Sequence, residues 1–123
     1  MEFPPHGEAN VYWLGKCLIV EVAGAINKEG AESFNKAIER QLDFAPPVGW
    51  TRVERILDIN CLCTPDCFAC LESSIAKCLM MGCIACRIEG GNGLIKNIFS
   101  EVCSKNGLSF NYCWGCHIRA RFV

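Results

Sequence analysis

The sequence predicts an α/β fold: a four- or five-stranded mixed sheet with an N-terminal antiparallel hairpin and helices mainly on one face. Short apolar runs alternate with amphipathic segments of helical period along the 123 residues, and such alternation builds parallel sheets. A turn at Gly15-Lys16 between two apolar runs adds the hairpin. The length suits a single domain over residues 1–123, with a loose N-terminus at 1–9 and an unassigned tail at 113–123.

Each element rests on its own local pattern. Asn27 is a good N-cap for the first helix, and Asn106-Gly107 ends the last one. Two prolines at 46–47 exclude a helix between the first helix and the central strand. The predicted strands are 11–14, 17–22, 52–60, 83–88 and 108–112, and the predicted helices are 28–43, 65–81 and 94–105.

The central unit is the strand at 52–60 with the helix that follows it. Apolar residues of that helix recur at spacings of three and four, which predicts one buried stripe. Thr64 is the expected N-cap, Pro65 takes the first helical position, and Asp66 places negative charge at the positive end of the helix dipole. Because sites gather at the carboxyl ends of parallel strands, the turn at 61–67 is the first place to expect function.

The composition narrows the class of protein. Twelve basic and 13 acidic residues give no basic face for nucleic acid. No apolar run approaches the roughly 18 residues of a membrane span. The N-terminus has neither a basic n-region nor an apolar h-region, so we expect a cytoplasmic protein without a membrane span.

Four segments of the chain resemble the STAS domains, the anti-sigma-factor antagonist (SpoIIAA-like) family, and in particular its small stand-alone bacterial members. Together they cover roughly residues 10–112. The segments are Leu18–Gly24 of the hairpin, Ala25–Ala31 at the first helix, Leu57-Asp58-Ile59 turning through Thr64-Pro65-Asp66, and Ile88–Gly93.

The resemblance implies a non-enzymatic regulatory domain that acts by protein–protein interaction near the start of the second helix. In that family the partner is an anti-sigma factor or a kinase, and phosphorylation of a serine or threonine at this turn switches binding off. Asp66 stands about where the phosphoacceptor would be, and Thr64 is the only nearby hydroxyl. The candidate residues for partner binding or a phospho-switch are therefore Thr64, Asp66, Phe68 and Asp58. A homodimer stays open.

Eleven cysteines are unusual for a chain without a secretory signal. Cys61, Cys63, Cys67 and Cys70 could hold zinc or iron, although their spacing matches no standard metal motif. A position near a helix N-terminus would lower thiol pKa. A thiol or metal sensor is therefore one alternative, and the other interpretation is that these cysteines are small buried apolar residues.

Three further alternatives remain at this stage, and no cofactor is expected. A small apolar or lipid-like ligand could bind in a cleft between a helix and the sheet. The string Cys113-Trp114-Gly115-Cys116-His117 matches the c-type haem attachment motif. The Gly-rich turn at 90–93 could cradle a phosphate, but it matches no phosphate-binding fingerprint and favours a plain strand-to-helix turn.

Overall fold

A computed structural model describes residues 7–47 and 49–113 of the chain. Seven strands and three helices follow in order along these residues: β1 Glu8–Leu14, β2 Cys17–Ala23, β3 Ala25–Ile26, α1 Lys28–Leu42, β4 Trp50–Ile56, β5 Leu62–Cys63, α2 Cys67–Met80, β6 Cys83–Gly90, α3 Gly93–Lys105 and β7 Ser109–Cys113.

Five of the strands form one mixed sheet with the order β1-β2-β4-β6-β7. β1 runs antiparallel to β2 around the predicted hairpin turn, and the other neighbours are parallel. The predicted α/β class, the mixed sheet and the N-terminal hairpin are therefore confirmed. β3 and β5 form a separate two-stranded parallel ladder that the sequence did not predict.

Several predicted boundaries are wrong. The central strand ends at Ile56 rather than Asn60, because the carboxylate of Asp58 accepts a hydrogen bond from the Asn60 backbone N–H at 2.8 Å. A local turn of this kind competes with strand pairing for the same backbone groups. At the other end, β1 already begins at Glu8, so residues 8–9 are not loose.

The helices cover one face of the sheet, with α2 packed between α1 and α3. Asn27 caps α1 as predicted, since its side-chain oxygen accepts from the Gly30 N–H at 2.8 Å. Trp13 and Trp50 meet edge to face beneath α1, with ring centroids 5.1 Å apart. No helix in the described part of the chain has both the length and the apolar character needed to span a membrane.

The opposite face of the sheet carries a polar network. Arg55 on β4 donates to Glu89 on β6 at 3.0 Å and to the Tyr12 hydroxyl on β1 at 3.3 Å. Arg87 lies 3.1 Å from the other carboxylate oxygen of Glu89. The network ties together three strands that are distant in sequence.

Candidate functional site

The carboxyl ends of β2, β4 and β6 form the strand-end surface. We define this surface by the loop 57–61, β5, the turn 64–66 with the first turn of α2, and the turn 90–92 with the first turn of α3. The backbone N–H of Leu57 bonds to Val22 at 2.9 Å, which ties the loop to the end of β2. The backbone N–H of Thr64 bonds to Ile26 at 3.2 Å, which ties the turn to β3.

Asp58, a predicted partner-binding residue, shapes the loop 57–61. Its side chain holds the Asn60 N–H and its backbone carbonyl accepts from the Cys61 N–H at 3.0 Å. The resulting turn points Leu57 and Ile59 outward, and Ile59 is 71% exposed. Asp58 therefore has a clear structural role, and its part in partner binding stays a prediction.

The predicted cap at Thr64 is wrong, because α2 begins at Cys67 with Asp66 in the N-cap position. The side chain of Asp66 makes no capping hydrogen bond; it accepts from the Thr64 hydroxyl instead. The Thr64 backbone carbonyl accepts from the Cys67 N–H at 2.9 Å, so residues 64–67 form a tight turn that leads into the helix. Thr64, Asp66 and Phe68 are all exposed on this surface.

Asn92 connects the last helix to the loop 57–61, a role that the sequence analysis missed. Its side-chain oxygen accepts from the Ile95 N–H at 3.0 Å and caps α3. Its amide nitrogen donates to the carbonyls of Ile59 and Cys61, both at 2.9 Å. The Gly-rich turn is therefore a structural anchor, and only its N-cap signal could have been found in the sequence.

The four candidate metal cysteines do not converge on one point. Cys61, Cys63 and Cys67 line the cavity described below, whereas Cys70 does not. The Sγ of Cys67 lies 3.2 Å from the Thr64 hydroxyl. No group of three or more His, Cys, Asp or Glu side chains within residues 7–47 and 49–113 is arranged to hold a metal ion.

Burial raises the pKa of three thiols in and near this surface, Cys61, Cys63 and Cys70. Burial raises the pKa of Cys61 to about 11, with neighbouring Cys63 and Asp58 adding to the effect. Burial and the nearby Cys67 likewise raise the pKa of Cys63 to about 11. Burial is also the main reason that the pKa of Cys70 rises, so the expectation of a lowered pKa there is wrong.

Other cysteines fill the core. Cys78, Cys83 and Cys86 are buried between the sheet and the helices, in agreement with their interpretation as small apolar residues. Of the haem-like string at 113–117, the structure describes Cys113 alone. The prediction of haem attachment therefore lies outside the described residues.

A cavity of about 70 Å³ lies between the sheet and the three helices, directly under the strand-end surface. Its walls are mostly apolar. Phe68 lines it and is 39% exposed, which places this side chain at the boundary between cavity and surface. The lining includes Ala31, Asn35, Arg52, Glu54, Cys61 and Phe68.

Two charged residues of β4 face this cavity, Arg52 and Glu54, and both are only 2% exposed. Arg52 Nε lies 2.6 Å and Nη2 2.5 Å from Glu54 Oε1, while Nη1 donates to the Ser74 hydroxyl at 2.6 Å. Burial raises the pKa of Glu54, and the charge of Arg52 opposes that rise. The signal in the sequence was two opposite charges at alternate positions of a buried strand, which must share one face.

No protein-family model matches the chain, and a search of the curated proteins found no match. The resemblance to STAS domains therefore rests on the segments quoted above, and a functional conclusion must rest on the site.

Proposed function

We propose that this protein is a non-enzymatic regulatory domain that binds a partner protein through the strand-end surface, as the antagonists of the STAS family do. The observation that carries the proposal is a group of large apolar side chains exposed on that surface. Its members are Leu57, Ile59, Leu62, Phe68 and Leu94, with exposed fractions between 39% and 71%.

Single exposed apolar residues are common and need no explanation. Several on one surface are different, because grouped apolar side chains in contact with water mark interaction sites. The loop that carries Leu57 and Ile59 is also held by hydrogen bonds from Asn92 and Asp58. A surface that is already ordered loses little conformational entropy when a partner docks on it.

The charges on this surface suggest the chemistry of the partner. Asp58 and Asp66 border the apolar group. A matching partner surface is apolar at its centre and carries lysine or arginine at its rim. An anti-sigma factor or a kinase with such a surface fits the proposal.

Thr64 supplies a means of control in this proposal. Its hydroxyl already contacts the carboxylate of Asp66. A phosphate at Thr64 would add roughly −1.5 to −2 charges beside that carboxylate. The resulting repulsion would displace the turn 64–66 and lower affinity for a partner docked there.

Photo-crosslinking in the source organism tests the proposal. A photoreactive amino acid is placed at Leu62 on the strand-end surface, and at Met80 as a control. Met80 is 85% exposed and lies with the exposed Met81 and Ile84 at the opposite end of the molecule, so it controls for apolar exposure alone. We expect a single protein to be crosslinked from position 62 and not from position 80, and a Thr64→Glu change to reduce that crosslinking at least fivefold.

The crosslinked protein is then purified, and its affinity is measured for the wild type, Leu94→Ser and Ile84→Ser. Leu94→Ser should weaken binding at least tenfold, and Ile84→Ser at the opposite end should not change it. Equal crosslinking from both positions, or equal affinities for both variants, would refute the strand-end surface as the docking site.

A further inference from the structure

The cavity under the strand-end surface contains a polar group whose hydrogen-bonding capacity is only half used. We propose that this cavity binds a small neutral molecule with an apolar body and one hydrogen-bond donor, such as an alcohol, with the donor directed at the carboxylate of Glu54. The cavity shares Phe68 with the proposed partner surface, but the proposal does not depend on a partner protein.

Arg52 is held mainly by protein groups. Its Nε and Nη2 both bind Glu54 Oε1, and its Nη1 binds the Ser74 hydroxyl and lies 3.7 Å from the Cys78 sulfur. All three nitrogens of the guanidinium therefore have partners. One N–H of Nη2 remains without a partner, but an anionic ligand there would add a net negative charge to a neutral ion pair in a mostly apolar cavity, which is costly.

Glu54 is in the opposite situation. Its contacts with described residues all involve Oε1, and Arg52 is the source of every one. An ionised carboxylate has about four acceptor positions on two oxygens, so Oε2 keeps unused acceptor capacity at the cavity wall. A ligand that brings one donor into this mostly apolar cavity would gain a charge-assisted hydrogen bond to Glu54.

The charge balance selects a neutral donor. Arg52 and Glu54 cancel each other at their 2.5 Å contact. An ammonium group beside Glu54 would leave one net positive charge in an almost wholly apolar cavity, which is costly. A hydroxyl or an amide N–H supplies the hydrogen bond and adds no charge.

Water fits the cavity less well than an apolar molecule does. A volume of about 70 Å³ exceeds the roughly 10–15 Å³ that one water needs. Buried waters usually make about three hydrogen bonds. Besides Glu54 and Arg52, whose three nitrogens already have protein partners, the polar lining consists of weakly bonding thiols and half-buried Asn35. The Asn35 amide nitrogen is already bonded to the Cys70 carbonyl at 2.9 Å.

Four molecules of matched size separate the alternatives: butan-1-ol, 1-chlorobutane, butanoate and butylammonium. Each is titrated into the full-length protein, and backbone amide NMR shifts of Glu54, Ile56 and Cys61 report binding. We expect butan-1-ol to bind at least fivefold tighter than each of the other three.

Two alanines on α1 provide matched controls. Ala31 lines the cavity, whereas Ala37 is half-buried outside it. Ala31→Leu should abolish the shifts caused by butan-1-ol, and Ala37→Leu should preserve them. If Ala31→Leu does not fold, Ala31→Val should weaken butan-1-ol at least threefold.

Four results would overturn the proposal. Tightest binding of butanoate would show that Arg52 selects the ligand, and tightest binding of butylammonium would show that the ligand is a cation. Equal affinity for butan-1-ol and 1-chlorobutane would show an apolar cavity with no role for Glu54. Absence of shifts with all four molecules would leave water as the occupant.

Discussion

Arg52 and Glu54 form an ion pair on the helix-facing side of the sheet, with Arg52 Nε 2.6 Å from Glu54 Oε1. The two residues are neighbours on the same face because strand side chains alternate with a period of two. Both are almost completely buried, so each charge depends on the other for its solvation.

Removing one partner of this pair should be strongly destabilising. We expect Glu54→Leu to lower the free energy of unfolding by about 3–5 kcal/mol, because it leaves the Arg52 charge buried and unpaired. A double variant that combines Glu54→Leu with Arg52→Met should recover most of that loss. Urea unfolding measures the free energy of unfolding of both variants. Arg87→Met on the other face, where Arg87 is 40% exposed, is the control and should cost under about 1 kcal/mol. A loss below 1 kcal/mol for Glu54→Leu would contradict the buried pair.

The raised thiol pKa values predict a loss of stability in alkali. Cys61 and Cys63 titrate near pH 11 in the folded chain, against an ordinary value of 9.0. Between these values the unfolded chain loses its thiol protons first, so the free energy of unfolding falls as pH rises from about 9 to about 11. Below pH 9 this contribution is fully present.

Thermal unfolding under reducing conditions, measured between pH 9 and pH 11, tests whether stability falls as pH rises. The wild-type melting temperature should fall, and a Cys61→Ala, Cys63→Ala double variant should show a shallower fall. Identical slopes for the two proteins would rule out these thiols as the cause.

Asn92→Ala should destabilise the fold by about 2–3 kcal/mol. The change removes the cap of α3, worth about 1 kcal/mol, and the two hydrogen bonds to the carbonyls of Ile59 and Cys61, each worth about 1 kcal/mol. Asn92→Asp separates these contributions, because it keeps the capping oxygen and loses the donor. If Asn92→Asp is as stable as the wild type in urea, the bonds to the loop 57–61 contribute nothing.

Two glycines of the same turn should respond oppositely to alanine. Gly91 has φ +82°, and a Cβ there would lie 3.1 Å from the Ile56 side chain. Gly91→Ala should therefore cost more than 1 kcal/mol. Gly93 begins α3 with open space around it, so Gly93→Ala should be neutral or stabilise by up to about 1 kcal/mol. Equal urea midpoints for the two variants would contradict this geometry.

The regular elements could be predicted from the sequence because their signals are local. The hairpin around Gly15 and the cap at Asn27 each depend on a few adjacent residues. Apolar periodicity then located all three helices within a few residues of their observed bounds.

The candidate site was harder to predict because its contacts are long-range. The apolar residues Leu57 and Ile59 indicated a strand, but the Asp58 turn and the bonds from Asn92 hold them outward. The side chain of Thr64 suggested a helix cap, but the pairing of β5 with β3 fixes the chain before it and delays the start of the helix.

The buried charges show the same limit. Arg52 and Glu54 lie in a strand that was predicted to be covered, yet no local rule says that two charges will be placed against the helices. The hydrogen bond from Arg52 to Ser74, which is 22 residues further along the chain, depends on how α2 packs against the sheet.

The sheet topology has a practical consequence for labelling. β1 begins beside the end of β2, because Glu8 pairs with Ala23, and β7 ends beside the end of β6, because Glu89 pairs with Cys113. Both ends of the described chain thus leave the sheet on the side where a partner is proposed to dock, about 19 Å apart across four strand spacings. A fluorophore attached at the exposed Glu8 would therefore lie beside that docking region, whereas a dye attached at the exposed Lys16 would lie at the far end and leave it clear.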